Sequence, residues 1–236
     1  MTVPDLLTRR PIAHRGLHDG NRERFENSLS AFRAAIDRDF AIELDVQLSA
    51  DGKAIVFHDE TLDRLTSERG LLAERTADEL REINLGETAD RIPTLAETLD
   101  FVAGRVPVVI EMKDNGERNA ALAQAVASDL AGREHPVAVM SFEHALLSSF
   151  RDTGSPIPLG LTAEGIGKPA LAEHEKALAF GIAFVSYHVK ALPNDFVRHV
   201  RDDLGLPVIT WTVRTPADVE ATRKYADQMT FEGFLP

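Results

Sequence analysis

Glu43 and Asp45 stand two residues apart in the run Ile42-Glu43-Leu44-Asp45-Val46. That spacing puts both carboxylates on one face of a strand, with Ile42, Leu44, Val46 and Leu48 on the other. Their Cα atoms should lie roughly 6.6 Å apart, so two acids facing inward would repel each other unless a cation sat between them. Asp51-Gly52 then turns the chain, and the apolar run from Ala54 to Phe57 ends on His58-Asp59. Two acids on one strand face with a histidine close behind are the ingredients of metal-assisted acid–base chemistry.

Three other strand ends carry chemistry of the same kind. Val108, Ile110 and Met112 alternate with Val109, Glu111 and Lys113, and Glu111 is placed to close the carboxylate cluster from the next strand. Three carboxylates and no cysteine describe a hard oxygen site suited to Mg²⁺ or Ca²⁺, with Mn²⁺ as a third choice. The competing reading is a surface patch on an edge strand; the apolar residues around Glu43 and Asp45 argue for an interior strand instead. His14 ends a short apolar strand from Pro11, as His58 ends its own. A lone histidine there is more often a core or turn residue. Beside carboxylates, one imidazole can take a proton from a nucleophile while the other gives one to a leaving oxygen. Arg15 and Lys113 bring positive charge to the same end and suggest an anionic substrate, the alternative being ion pairs with Glu43 or Glu111. Trp211, the one tryptophan, sits in Thr210-Trp211-Thr212, either as core or as a wall of the substrate pocket. His18, His144 and His188 read as surface or structural.

The elements that must position these groups recur regularly. Strand-like runs begin near Ile12, Ile42, Val108, Val137, Ile157, Ala183, Val208 and Gln228. Helical spacing lies between most of them. One stripe is Leu29, Phe32, Ala35 and Ile36 after an N-cap at Asn27 or Ser28; another, 95–103, is capped by Thr94 with Glu97 in the capping-box position. Further helices are predicted over 117–131, 145–151, 169–179, 193–202 and from Pro216. Residues 60–93 read as mostly polar with a weak helix at 77–83. Eight β/α units in 236 residues fit a (β/α)8 TIM barrel, a fold that typically needs roughly 250 residues. The whole chain, 1–236, reads as a single domain. A doubly wound sheet would announce a glycine-rich phosphate turn after an early strand, and none is present. In a barrel, polar residues at strand C-termini share one mouth.

Composition narrows the partners. With 38 acids against 26 bases the net charge is −12, which disfavours nucleic acid and stable membrane association. No run of 18 apolar residues and no signal-peptide core occur, and the absence of cysteine excludes a disulfide framework. A soluble, cytoplasmic protein is expected.

These residues resemble one family in order. His14-Arg15-Gly16, Glu26-Asn27-Ser28, Ile42 to Val46, Asp51-Gly52, Val56 to Asp59, Leu62 to Thr66, Ile92 to Glu97, Ile110 to Lys113 and Trp211 to Val213 follow the motif order of glycerophosphodiester phosphodiesterases. The resemblance implies a TIM barrel that hydrolyses glycerophosphodiesters to glycerol 3-phosphate and an alcohol with a divalent cation, in lipid and glycerol metabolism. It implies that His14 and His58 act as general acid and base, that Glu43, Asp45 and Glu111 bind the metal, and that Arg15 and Lys113 contact phosphate. Three departures stand out. Phe25 replaces a proline, Ser28 replaces a threonine, and Thr230-Phe231-Glu232-Gly233 replaces a Thr-Asp ending that an eighth helix would follow. The eighth helix is therefore expected to be missing, its slot covered by the N-terminal lead or by a partner subunit in a homo-oligomer.

Alternatives of other kinds remain at this point. A sugar phosphodiester or lysophospholipid would suit the same chemistry, a metal-dependent barrel lyase or aldolase would use the cation on an enolate, and an inactive barrel would only bind. Sequence names neither the leaving alcohol nor the nucleophile, which is water or the neighbouring glycerol hydroxyl.

Overall fold

The alternation of polar and apolar residues along 41–48 is realised as a strand buried on both faces, Leu44 and Val46 outward and Glu43, Asp45 and Gln47 inward. In the computed structural model, which describes residues 2–236, this strand belongs to a closed barrel. The elements in chain order are α1 (Val3–Thr8), β1 (Ile12–Ala13), α2 (Leu29–Ile36), β2 (Ala41–Leu48), β3 (Ala54–Val56), α3 (Ala77–Leu80), α4 (Leu95–Val102), β4 (Val108–Met112), α5 (Asn119–Leu130), β5 (Val137–Ser141), α6 (His144–Asp152), β6 (Leu159–Ala163), α7 (Lys168–Ala177), β7 (Phe184–His188), α8 (Asp195–Arg198), β8 (Val208–Val213), α9 (Pro216–Tyr225) and β9 (Gln228–Phe231). All strands but β3 run parallel, and β1 closes the ring by pairing with both β2 and β9. The (β/α)8 expectation holds. The antiparallel β3 is a hairpin arm on β2.

Outward strand residues and the facing helices make one continuous apolar shell. The barrel floor is a separate cluster of inward residues, Ile12, Ala41, Val109, Ala138, Met140, Phe184 and Ile209. Phe184 fits only because Gly160 faces it: a Cβ there would stand 2.3 Å from the ring. α1 completes this floor with Leu6 and Leu7, and burying each contributes about 1.5–3 kcal/mol. The lead therefore plugs the bottom of the barrel and does not cover the flank beside β9, as the sequence suggested it could. After β9, residues 232–236 form no helix. On that flank Phe231 is covered by Phe40 and Phe234, with ring centroids 5.0 and 5.7 Å away.

Boundaries moved where backbone donors are missing. β6 starts at Leu159, two residues after the expected start, because Pro156 and Pro158 have no N–H to offer a ladder. α8 starts at Asp195, where the Asn194 side chain accepts from the Val197 N–H. Ser28 is the cap of α2, which frees Asn27 for the interior. Residues 60–93 are less polar in effect than they read. Phe57, Leu62, Leu65, Leu72, Leu80, Leu85 and Ile92 close around Phe25 and Ile55 as a second small core beside the mouth. Among the described residues no helix is long and apolar enough to cross a membrane.

Candidate active site

The turn after β1 is shaped by two successive residues in the left-handed region, Arg15 at φ 54° and Gly16 at φ 78°. A non-glycine residue there costs about 1–2 kcal/mol, offset here by ties: the Arg15 N–H donates to Glu43 Oε2 (2.9 Å) and its carbonyl accepts from Asn27 N (2.9 Å). The reversal leaves His14 facing inward. Its Nδ1 lies 2.7 Å from Glu232 Oε2, and its Nε2 lies 4.0 Å from Glu43 Oε2. Glu232 also accepts from Arg214 Nη2 (2.8 Å). Burial alone would raise Glu232, but His14 and Arg214 hold its carboxyl down to about 2. An ionised Glu232 can only accept, so the His14 Nδ1 carries the proton and donates.

His58 repeats this arrangement. Its Nδ1 lies 2.7 Å from Asp59 Oδ1, and Asp59 accepts from Arg64 Nε (2.6 Å) and Nη2 (2.8 Å). Arg64 lowers the Asp59 carboxyl, so here too the imidazole donates from Nδ1 and keeps Nε2 for a substrate. The Gln47 amide donates to the carbonyls of His58 (2.9 Å) and Asp59, pinning that peptide to the inward face of β2. Burial lowers both imidazoles below 6.5.

Between the histidines lie the three acids. Asp45 and Glu111 are directly paired in the β2–β4 register, and oxygens of Glu43, Asp45 and Glu111 all lie within 4.8 Å of one another. Burial, then the charges of Asp45 and Glu111, push Glu43 well above the usual carboxylate range. Burial also raises Glu111, against the opposing charge of Lys113. Asp45 is the exception: burial would raise it, but Lys113 and Arg15 hold it below that range. Lys113 Nζ is 2.9 Å from Asp45 and also bonds Glu111; Asn27 Nδ2 donates to Asp45 (2.8 Å), and Arg15 Nε lies 3.1 Å from it. A buried cluster of three carboxylates, two of them pushed toward their neutral forms, suits a hard divalent cation, whose charge would relieve that repulsion.

Arg15 and Lys113 do reach this cluster, in ion pairs. Arg15 Nη1 donates to Glu26 Oε1 (2.7 Å), a residue sequence reasoning placed in a motif without a role. Trp211 stands on the other side of the mouth, its ring edge-on to Phe142 at 5.3 Å and against His188 at 4.8 Å, its Nε1 donating to the Ser186 carbonyl (3.2 Å). His188, read as structural, thus joins the wall of the mouth. In the sequence Asp59 and Glu232 stood only as members of motifs without a role, and Arg64 and Arg214 had no part. Strand parity could have found Glu232: Gln228 and Thr230 alternate with the outward Met229 and Phe231, so the next inward position is 232.

Residues 14–234 match the profile of the glycerophosphoryl diester phosphodiesterase family. The chain is similar to a glycerophosphodiester phosphodiesterase of Caldanaerobacter subterraneus, 27% identical over 220 residues, covering 89% of this chain and 87% of that protein. It is 35% identical over 170 residues to a glycerophosphodiester phosphodiesterase of Bacillus altitudinis, covering 67% and 68%. Its fold matches the structure of an Oleispira antarctica phosphodiesterase in complex with the product sn-glycerol-3-phosphate, with a TM-score of 0.83 at 24% identity, covering 96% of this chain and 93% of that one.

Proposed function

The chain belongs to the glycerophosphoryl diester phosphodiesterase family, and from that membership and the site's geometry we propose that it hydrolyses glycerophosphodiesters to glycerol 3-phosphate and an alcohol. The observation that carries the reading is the doubled arrangement of His14 on Glu232 and His58 on Asp59, flanking three clustered carboxylates.

Each histidine works through Nε2. One neutral imidazole takes a proton from the attacking oxygen, of water or of the neighbouring glycerol hydroxyl, as that oxygen bonds to phosphorus. As the P–O bond to the alcohol breaks, the other imidazole, starting protonated, gives its Nε2 proton to the departing oxygen. By the glycerol-hydroxyl route, water then opens the cyclic phosphate with the two histidines exchanging roles. Asp59 and Glu232 hold the rings in the Nδ1–H tautomer and stabilise each imidazolium as it forms. Glu43, Asp45 and Glu111 would hold Mg²⁺, Ca²⁺ or Mn²⁺, and the bound cation supplies Lewis-acid stabilisation of charge building on the phosphoryl oxygens.

Arg15 and Lys113 are the phosphate contacts in this reading. Lys113 engages two of its three donors with Asp45 and Glu111, and Arg15 donates through Nη1 to Glu26 while its Nε only lies near Asp45, so each retains a donor for a phosphoryl oxygen. Trp211 and Phe142 give an apolar wall to the carbon portion of the diester.

The test is a panel of glycerophosphocholine, glycerophosphoethanolamine, glycerophosphoglycerol and lysophospholipids, each with Mg²⁺, Ca²⁺ and Mn²⁺. We expect release of glycerol 3-phosphate from the glycerophosphodiesters, and of acyl-glycerol 3-phosphate from any lysophospholipid turned over, that stops on chelation. No release from any diester would overturn the reading, and release indifferent to chelation would overturn the metal site.

A further inference from the structure

Arg64 lies outside the barrel, on the excursion between β3 and α4, yet both edges of its guanidinium face the site's supporting carboxylates. Nε and Nη2 bond the two oxygens of Asp59 at 2.6 and 2.8 Å; Nη1 and Nη2 bond the two oxygens of Glu26 at 2.9 and 2.7 Å. Asp59 holds the His58 ring, and Glu26 holds Arg15 Nη1. An unbroken run of alternating donors and acceptors therefore joins His58, Asp59, Arg64, Glu26 and Arg15.

We propose that Arg64 is a positioning residue that fixes His58 and Arg15 together, so that the proton carrier and the phosphate contact are set by one side chain. The inference rests on the roles given above to those two residues. Geometry favours it over a merely structural part. Leu62 and Leu65, on either side of Arg64, are buried in the second core and fix the backbone; among the described residues the guanidinium bonds Asp59 and Glu26 and none of that core. Four bonds to two carboxylates need the planar fork, which a lysine ammonium cannot reproduce. Glu26 is 5% exposed in its side chain while Arg64 is 44% exposed, so the inner carboxylate depends on a partner that solvent can reach. Without Arg64, Glu26 keeps Arg15 and Asn21, and Arg15 is drawn toward it and away from substrate.

The test compares Arg64→Ala and Arg64→Lys with the parent protein on a turned-over glycerophosphodiester, with thermal melts as control. For Arg64→Ala we expect kcat to fall roughly ten- to a hundredfold and KM to rise, both recovering in part when guanidinium is added, with Arg64→Lys intermediate. A folded variant with kcat and KM within about twofold of the parent would overturn the proposal, as would a loss that guanidinium does not restore. NMR of the His58 ring nitrogens reads the positioning without turnover. The parent should show one fixed Nδ1–H tautomer and Arg64→Ala an average of two; an unchanged ring in the variant would overturn the proposal. A parent with no turnover counts against the proposed activity, and the ring nitrogens still decide the part of Arg64.

Discussion

Glu232 is 218 residues from His14 in sequence, yet its Oε2 lies 2.7 Å from the His14 Nδ1. Barrel closure makes the contact, because β9 and β1 are paired neighbours and both residues stand one step beyond their strands. Glu232→Gln keeps the shape, removes the charge that favours the imidazolium, and can present an amide N–H to the ring. We expect kcat to fall roughly ten- to a hundredfold with little change in thermal stability. Unchanged kcat in a folded variant would remove Glu232 from the site.

The imidazoles make a statement about pH. Burial lowers His14 and His58 below the ordinary 6.5, against neighbouring carboxylates that raise them. A histidine lowered in the folded state is stabilising when neutral; that contribution is present above the unfolded value and lost as pH falls through the folded one. The base form thus persists into mild acid, and the acid limb of kcat/KM should have its midpoint below 6.5. Asp59→Asn and Glu232→Gln each remove a charge that raises a pKa, so the variant that moves the limb further down identifies the base. A parent midpoint above 6.5 would contradict this reading.

Removal of the metal should be legible in stability. A divalent cation at 100 times its Kd stabilises by about 2.7 kcal/mol, so Mg²⁺ or Ca²⁺ should raise Tm and a chelator should reverse the rise. Glu43 is pushed up by burial and by the charges of Asp45 and Glu111. Its neutral form stabilises the fold, an advantage fully present below the unfolded pKa and lost as pH rises through the folded one. Glu43→Gln should therefore match or exceed the parent's Tm in chelator at neutral pH, and lose the response to cation. A cation response as large as the parent's would exclude Glu43 as a ligand.

The barrel floor gives a prediction separate from chemistry. Leu7 on α1 is fully buried against inward residues of the strands. Leu7→Ala should cost about 2–5 kcal/mol in denaturant unfolding and leave kcat near the parent value at a temperature where both are folded. A loss below about 1 kcal/mol would mean that α1 is not the plug.

Much of this molecule could be read from the chain because barrel strands write two periodicities at once. Glu43, Asp45, Glu111 and Lys113 were legible as inward residues since Leu44, Val46, Ile110 and Met112 alternate with them. His14 and His58 were legible as strand ends. What escaped was contact through space with no local period: Arg64 on Glu26 across 38 residues, Arg214 on Glu232 from neighbouring strand ends, and Phe142 on Trp211 across the mouth. The second core escaped for a similar reason. Its apolar residues, among them Leu62, Leu72, Leu80 and Leu85, are spaced irregularly among charged ones and meet only once the loop folds.

The central claim is that two carboxylate-held histidines carry the proton transfers of phosphodiester hydrolysis. The direct measurement is initial-rate release of glycerol 3-phosphate from glycerophosphocholine, at saturating divalent cation, by the parent, His14→Ala and His58→Ala. Each alanine variant should keep its fold and its thermal response to cation while losing at least about a hundredfold in kcat. Near-parental kcat in either variant would contradict the two-histidine site.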